Sequence, residues 1–213
     1  MESERRDWLE WHRPYDDPAS SLSRRLGLVR QEFMAALDVQ AGPVRVISMC
    51  AGQGRDVLPV LAGHRKRSEI SAVLVEIDPR NVAIATAEVK RLGLMHVRVL
   101  EADAALTDNY AGSVPADIIL ACGIFGNISD DDIRRTIGQL PSLCAAGATV
   151  IWTRGRNADR DLGQDVRQWF AAAGFRETAF HAPDDMKYRV GVSQLAIPPR
   201  PFTLGVRMFQ FLR

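Results

Sequence analysis

The chain has 213 residues, 46% of them hydrophobic, which is enough to build the core of one α/β domain. Its 27 basic and 26 acidic residues leave a formal net charge of +1, so no overall field draws in nucleic acid or an anionic membrane. The three cysteines, Cys50, Cys122 and Cys144, show no CxxC spacing and lie in or beside apolar runs, which excludes a disulfide frame and reads as reduced, buried thiols. The opening segment MESERRDWLEWHRPYDD is polar, and no apolar stretch approaches membrane-spanning length. The expectation is a cytoplasmic protein without signal peptide or membrane partner.

In chain order, Trp8 to Asp17 mixes large aromatics with charges and has two compatible readings. Trp8 and Trp11 pack this arm onto the main domain, or the arm forms a lid through which His12 or Tyr15 reaches a site. Leu22, Leu26, Val29, Phe33 and Leu37 then recur at steps of three to four residues and mark an amphipathic helix. From Val44 onward, β-branched runs alternate with segments of helical period, the pattern of βαβ units and a mostly parallel sheet. Strands are expected over 44–49, 71–77, 97–100, 117–121 and 148–153, and helices over 54–63, 79–92, 129–143 and 161–173. Ser129 before three aspartates, and Asp78 before Pro79, read as helix caps. Near the end, 175–180 and 204–212 look extended and flank the Pro198-Pro199-Arg200-Pro201 loop. Two late strands, one antiparallel at the edge, would complete a seven-stranded sheet. The division expected is 1–40 as a helical arm or lid and 41–213 as the sheet domain.

The first strand runs straight into Cys50-Ala51-Gly52-Gln53-Gly54-Arg55-Asp56. Glycines there let the backbone turn tightly and approach a ligand where a Cβ would collide, although such turns also occur for packing alone. The second strand ends in Val75-Glu76-Ile77-Asp78-Pro79, which puts an acid about twenty residues beyond the glycines, the spacing at which a carboxylate accepts ribose hydroxyls. The third ends in Glu101-Ala102-Asp103-Ala104, another acid on the same carboxyl edge, where open α/β sheets bind ligands. Glu76 and Asp103 each have a plainer reading as helix caps, and for the first of these turns Asp78 fits the cap better.

These motifs resemble the class I S-adenosylmethionine-dependent methyltransferases, with their Rossmann-like seven-stranded sheet and helices on both faces. The resemblance spans about Val44 to Leu212 and implies S-adenosylmethionine as cofactor, S-adenosylhomocysteine as product and no metal. It implies Gly52 and Gly54 beside the amino-acid end of the cofactor, with Cys50 and Ala51 in the same loop, and Glu76 on the ribose. Asp103 would face the adenine, Ile77 and Ala104 would line its slot, and the fourth strand, ending at Cys122, would pass beneath the methionine part. Two departures stand out: Asp56 occupies the usual third-glycine position, and Ser48-Met49-Cys50 replaces the common Asp before the loop. Arg55 or Asp56 would compensate at the charged end. A dinucleotide fingerprint GxGxxG would need glycine at Val57, so oxidoreduction with a nicotinamide cofactor is disfavoured.

On the acceptor side, His64 among basic residues and His96 on the far edge of the sheet read as structural, leaving His12 and His181. His12, Tyr15 and Asn127 are the catalytic candidates. Tyr15, Asn127, Trp152 and Arg154 are the substrate-binding candidates, the arginine suiting a carboxylate or phosphate. Gly123-Ile124-Phe125-Gly126-Asn127 lacks the Pro-Pro-aromatic motif with which family members methylate base amines. The expectation is a small-molecule methyltransferase, monomeric or homodimeric, acting on an anionic metabolite or natural-product intermediate and not on nucleic acid. The alternatives are an RNA or protein methyltransferase that borrows its recognition surface from a partner, and a non-catalytic cofactor-binding protein.

Overall fold

A computed structural model describes residues 7–156 and 161–212, apart from the side chain of Trp11. The expected contributions of residues 1–6 and of Trp11 to the arm lie outside the described residues.

Seven strands form one sheet in the order β3-β2-β1-β4-β5-β7-β6. They are β1 Val44–Met49, β2 Ile70–Glu76, β3 Val97–Glu101, β4 Ala116–Ala121, β5 Cys144–Gly155, β6 Phe175–His181 and β7 Tyr188–Leu195. Strands β1 to β5 pair in parallel, and β7 is antiparallel to both β5 and β6. The helices are α1 Ser21–Asp38, α2 Leu58–Gly63, α3 Pro79–Arg91, α4 Asp130–Leu143 and α5 Gly163–Ala172. Because successive strand residues point to opposite faces, the apolar runs feed two cores. Ile47, Val73, Ile119 and Val150 join α4 and α5 through Ile133, Ile137, Val166 and Phe170. Val46, Leu74, Ile118 and Ile151 meet Val29, Phe33 and Leu37 of α1 and Leu58 and Leu61 of α2. The expected α/β class, with helices on both faces, is therefore the observed one.

The caps work as read: Ser129 accepts from the Asp132 N–H at 3.1 Å and Asp78 from the Arg80 N–H at 3.0 Å. Two expectations need correction. The helix expected from residue 54 begins at Leu58, because Gly54 sits at φ +69, outside the helical region, and Pro59 sets the first turn. The final strand is Tyr188–Leu195, not 204–212, which makes only the isolated bridges Leu106 to Arg207 and Ile128 to Phe211. The antiparallel strand β7 thus lies one place in from the edge, and β6 is the edge strand. The polar residues of β7 that hide it in the sequence are satisfied inside. Arg189 ion-pairs with Asp161 at 2.6 Å, and Gly191 leaves room for the Trp152 ring. No helix among the described residues is long and apolar enough to cross a membrane.

Candidate functional site

The site grows from the turn after β1. Cys50, Gly52 and Gly54 have φ of +50, +54 and +69, so the chain takes three left-handed steps within five residues at the carboxyl edge of the sheet, with the Ala51 N–H donating to the Val75 carbonyl and the Gly54 N–H to the Ala51 carbonyl. For Cys50 that conformation costs on the order of 1–2 kcal/mol, a strain that concentrates at ligand-binding turns. The two glycines serve different ends. A Cβ on Gly52 would meet the His12 ring at 2.3 Å, whereas one on Gly54 would strike Leu58 and Leu74 at 2.8 Å. Gly52 therefore faces the site, and Gly54 faces the core beneath the loop.

Glu76, the last residue of β2, is buried and ties two loops together. One carboxylate oxygen accepts from the Gly52 N–H at 2.8 Å and the other from the Asp78 N–H at 2.8 Å. A carboxylate offers about four lone-pair positions, so acceptor capacity remains for a ligand's hydroxyls. At the end of β3, Asp103 accepts from the Ala105 N–H at 2.9 Å and ion-pairs with Arg207 at 2.9 Å. Ile77 is 58% exposed despite being apolar, and with buried Ala104 it forms an apolar wall.

One cleft of about 950 Å³, counting the space open at its mouth, collects these groups. Cys50, Ala51, Gly52, Arg55, Asp56, Glu76, Ile77, Asp103, Ala104 and Cys122 all line it. Burial pushes the Cys50 and Cys122 thiols well up, so neither is a thiolate at neutral pH. Burial also raises the Asp56 carboxyl to about 6, against the pull of Arg25 and Arg30.

The arm covers the cleft. A 3-10 segment, Glu10–Asp16, carries His12 and Tyr15 into it, and Trp8 leans on Phe211 with centroids 5.4 Å apart. Asp7 pairs with Arg80 at 2.9 Å and Asp16 with Arg55 at 2.7 Å, fastening the arm to both motif loops. His12 is buried, and its Nδ1 lies 2.6 Å from the Trp8 carbonyl oxygen. Burial lowers its pKa below 6.5. The Tyr15 hydroxyl accepts from Arg25 at 2.6 Å, and burial raises its pKa, so it is a neutral phenol.

The remaining expected substrate residues lie elsewhere. Trp152 is fully buried, stacked on Phe170 at 5.6 Å with an interplanar angle of 13°, and belongs to the core. A tryptophan at the carboxyl end of β5 reads as site-facing only if its side points outward, and here the pleat turns it in. Asn127 donates to the Gly123 carbonyl at 2.7 Å and accepts from the Leu212 N–H at 2.7 Å, bracing the loop after β4. Arg154 donates to the Phe125 carbonyl. Neither lines the cleft. His181 pairs with Glu32 at 2.7 Å, joining β6 to α1.

Sequence reasoning missed two polar residues of the cleft. Arg25 is buried on the face of α1 next to the apolar stripe, and its neighbours three and four residues away gave no sign of a ligand-facing cation. Asn81, fully buried in the first turn of α3, also lines the cleft. Its signal, an amide in an otherwise ordinary helix start, needs the fold to be visible. Among the described residues no group of three His, Cys, Asp or Glu side chains is placed to hold a metal ion.

A family model described as "Putative methyltransferase" matches residues 23–156, from α1 to the end of β5. A SAM dependent methyltransferase from Aquifex aeolicus superposes with a TM-score of 0.62 at 18% identity, covering 91% of this chain and 100% of that one. The CurJ carbon methyltransferase gives 0.70 at 14% identity, covering 90% of this chain and 59% of that one. The [4+2]-cyclase SpnF gives 0.59 at 15% identity, over 84% and 82%. Likeness at such identities is a likeness of fold, and the cyclase illustrates that this fold carries more than one chemistry. No curated protein sequence matches the chain.

Proposed function

The chain belongs to the methyltransferase family whose model it matches, and from that premise we propose that it transfers the methyl group of S-adenosylmethionine to a small-molecule acceptor within the cleft. The observation that carries the small-molecule reading is the cover. Trp8, His12 and Tyr15 close over the carboxyl edge of the sheet from the same chain, so an acceptor has to fit beneath them. We take residues 1–40 as a helical arm or lid and 41–213 as the S-adenosylmethionine-binding methyltransferase domain.

The residues fit the cofactor. Gly52 presents a surface without a Cβ, Glu76 supplies acceptors for the ribose hydroxyls, and Ile77, Asp103 and Ala104 provide an apolar slot with one acid for the adenine. Asp56 and Arg25 supply one charge of each sign for the amino-acid end. When bound, S-adenosylmethionine would supply a methyl group on a cationic sulfur, open to in-line displacement by an acceptor's lone pair.

The protein's part is alignment, exclusion of water and removal of one proton. A hydroxyl or ammonium acceptor loses its proton to His12, through the Nε2 that faces the Gly52 turn. Arg55 lines the same cleft and suits a carboxylate or phosphate on the acceptor. Proton and methyl balance: the acceptor gives up H⁺ to the imidazole and gains CH₃, and the positive charge leaves sulfur.

Calorimetry with S-adenosylmethionine and S-adenosylhomocysteine tests the shared premise, with Glu76→Ala expected to weaken binding by tenfold or more. Incubation with labelled cofactor and separate metabolite, RNA and protein extracts tests the acceptor. Label entering only the metabolite fraction is the expected result. Label on RNA or protein would overturn the small-molecule reading, and tight binding without transfer to any fraction would point to a non-catalytic role.

A further inference from the structure

Asn81 is a fully buried residue of the cleft wall whose Nδ2 has no hydrogen-bond partner among the described residues. A buried amide donor left without an acceptor is costly, and native proteins seldom leave one in place without a use for it.

The orientation of that amide is fixed by a chain of groups that begins in the arm. Arg55 ion-pairs with Asp16 at 2.7 Å, and its Nε donates to Gln53 Oε1 at 2.8 Å. A guanidinium can only donate, so the oxygen of Gln53 must face it and the amino group of Gln53 must face the other way. There Gln53 Nε2 donates to Asn81 Oδ1 at 3.3 Å. Turning the Asn81 amide over would set two amino groups against each other. The open donor of Asn81 is therefore dictated by the network.

A ribose hydroxyl is both donor and acceptor. Glu76, as a carboxylate, takes only the hydrogens and leaves the oxygen lone pairs without a partner. Asn81 Nδ2 is the complementary group, a buried donor with nothing to donate to, on a residue that lines the same cleft. We infer that Asn81 is a positioning residue for the cofactor, donating its Nδ2–H to an oxygen of the ribose diol whose hydrogens Glu76 accepts. The inference rests on the cofactor reading above. It makes recognition of the diol two-sided and links it through Gln53 and Arg55 to the arm.

The test is calorimetry of S-adenosylhomocysteine and of its 2′-deoxy and 3′-deoxy analogues against the intact protein and the Asn81→Asp and Asn81→Ala variants. Asn81→Asp keeps the oxygen that Gln53 bonds but brings a carboxyl group, so the variant that removes the donor without adding a charge is Asn81→Ala. It is expected to weaken S-adenosylhomocysteine binding by about tenfold or more. Against the one deoxy analogue that lacks the partner hydroxyl, variant and parent should bind alike. Equal weakening toward all three ligands, or unchanged affinity in both variants, would overturn the role of Asn81. Failure of the unaltered protein to bind S-adenosylhomocysteine at all would instead overturn the cofactor reading, so the two failures are distinct.

Discussion

His12 donates its Nδ1–H to the carbonyl oxygen of Trp8 at 2.6 Å, and this bond settles which ring nitrogen is basic. A carbonyl can only accept, so Nδ1 carries the proton and Nε2 carries the lone pair. Burial is the largest influence on the ring and holds its pKa below 6.5, favouring the neutral form.

If that imidazole takes the acceptor's proton, activity is lost as pH falls through the lowered His12 pKa and is level above 6.5. A profile of kcat from pH 5 to 8 at saturating cofactor, where Asp56 is paired with the cofactor's ammonium, should therefore show an acid limb set by His12. His12→Gln is expected to reduce kcat by about a hundredfold or more and to remove that limb, with little change in S-adenosylhomocysteine affinity. Retained turnover with an unaltered profile would remove His12 from the chemistry.

Asp56 carries a pH signature of the opposite sign. Its carboxyl is raised from 3.8 to about 6 by burial, so the folded protein holds this proton more tightly than the unfolded chain. The resulting stabilisation is complete below pH 3.8 and is lost as pH rises through about 6. The shift corresponds to roughly 3 kcal/mol. Asp56→Asn should therefore be more stable than the parent at pH 7.5 and close to it at pH 4, as read by urea unfolding. An equal gain at both pH values would assign the effect to something other than ionisation.

The strand-end motifs were legible because each is local: a glycine turn, Glu76 and Asp103 each sit where a strand run stops, and parallel strands bring such stops to one edge. Their convergence on one cleft follows from that register alone. What was not legible depends on long-range satisfaction. Arg189, Ser193 and Gln194 make β7 look like a loop until Asp161, Trp152 and Gly147 are seen to pair with them. Segment 204–212 has an extended pattern without a sheet neighbour to complete a ladder. Trp152 illustrates the same limit, since period two places a side chain on a face without saying which face holds the ligand.

Trp152 and Gly191 are paired across β5 and β7, and an added Cβ on Gly191 would lie 2.2 Å from the indole. Gly191→Ala is expected to cost about 1–3 kcal/mol through overpacking, because both the backbone and the ring are held by the sheet and by Phe170. Trp152→Leu removes the obstruction, so the double variant should lose less than the sum of the single ones in urea melts. S-adenosylhomocysteine affinity should stay within about twofold for any variant that folds, since the pair does not line the cleft. A large loss of affinity in a folded Trp152→Leu protein would return this residue to the site.

The two motif glycines should separate by the same reasoning. Gly54→Ala drives a methyl group against Leu58 and Leu74 in the core, and Gly52→Ala drives one against His12 in the arm, while both require an L residue at positive φ. The shared backbone strain is about 1–2 kcal/mol. Beyond it, Gly54→Ala should lower the midpoint of global unfolding further, because a core of low compressibility must yield. Gly52→Ala should instead loosen the arm, which is fastened by exposed ion pairs and by aromatic packing. Limited proteolysis between Trp8 and Asp17 is the discriminating measurement: faster cleavage there is expected for Gly52→Ala and not for Gly54→Ala. Adding His12→Ala to Gly52→Ala removes the collision but leaves the backbone strain. It should restore part of the stability and none of the arm's protection, since the ring that anchored the arm over the glycine is gone.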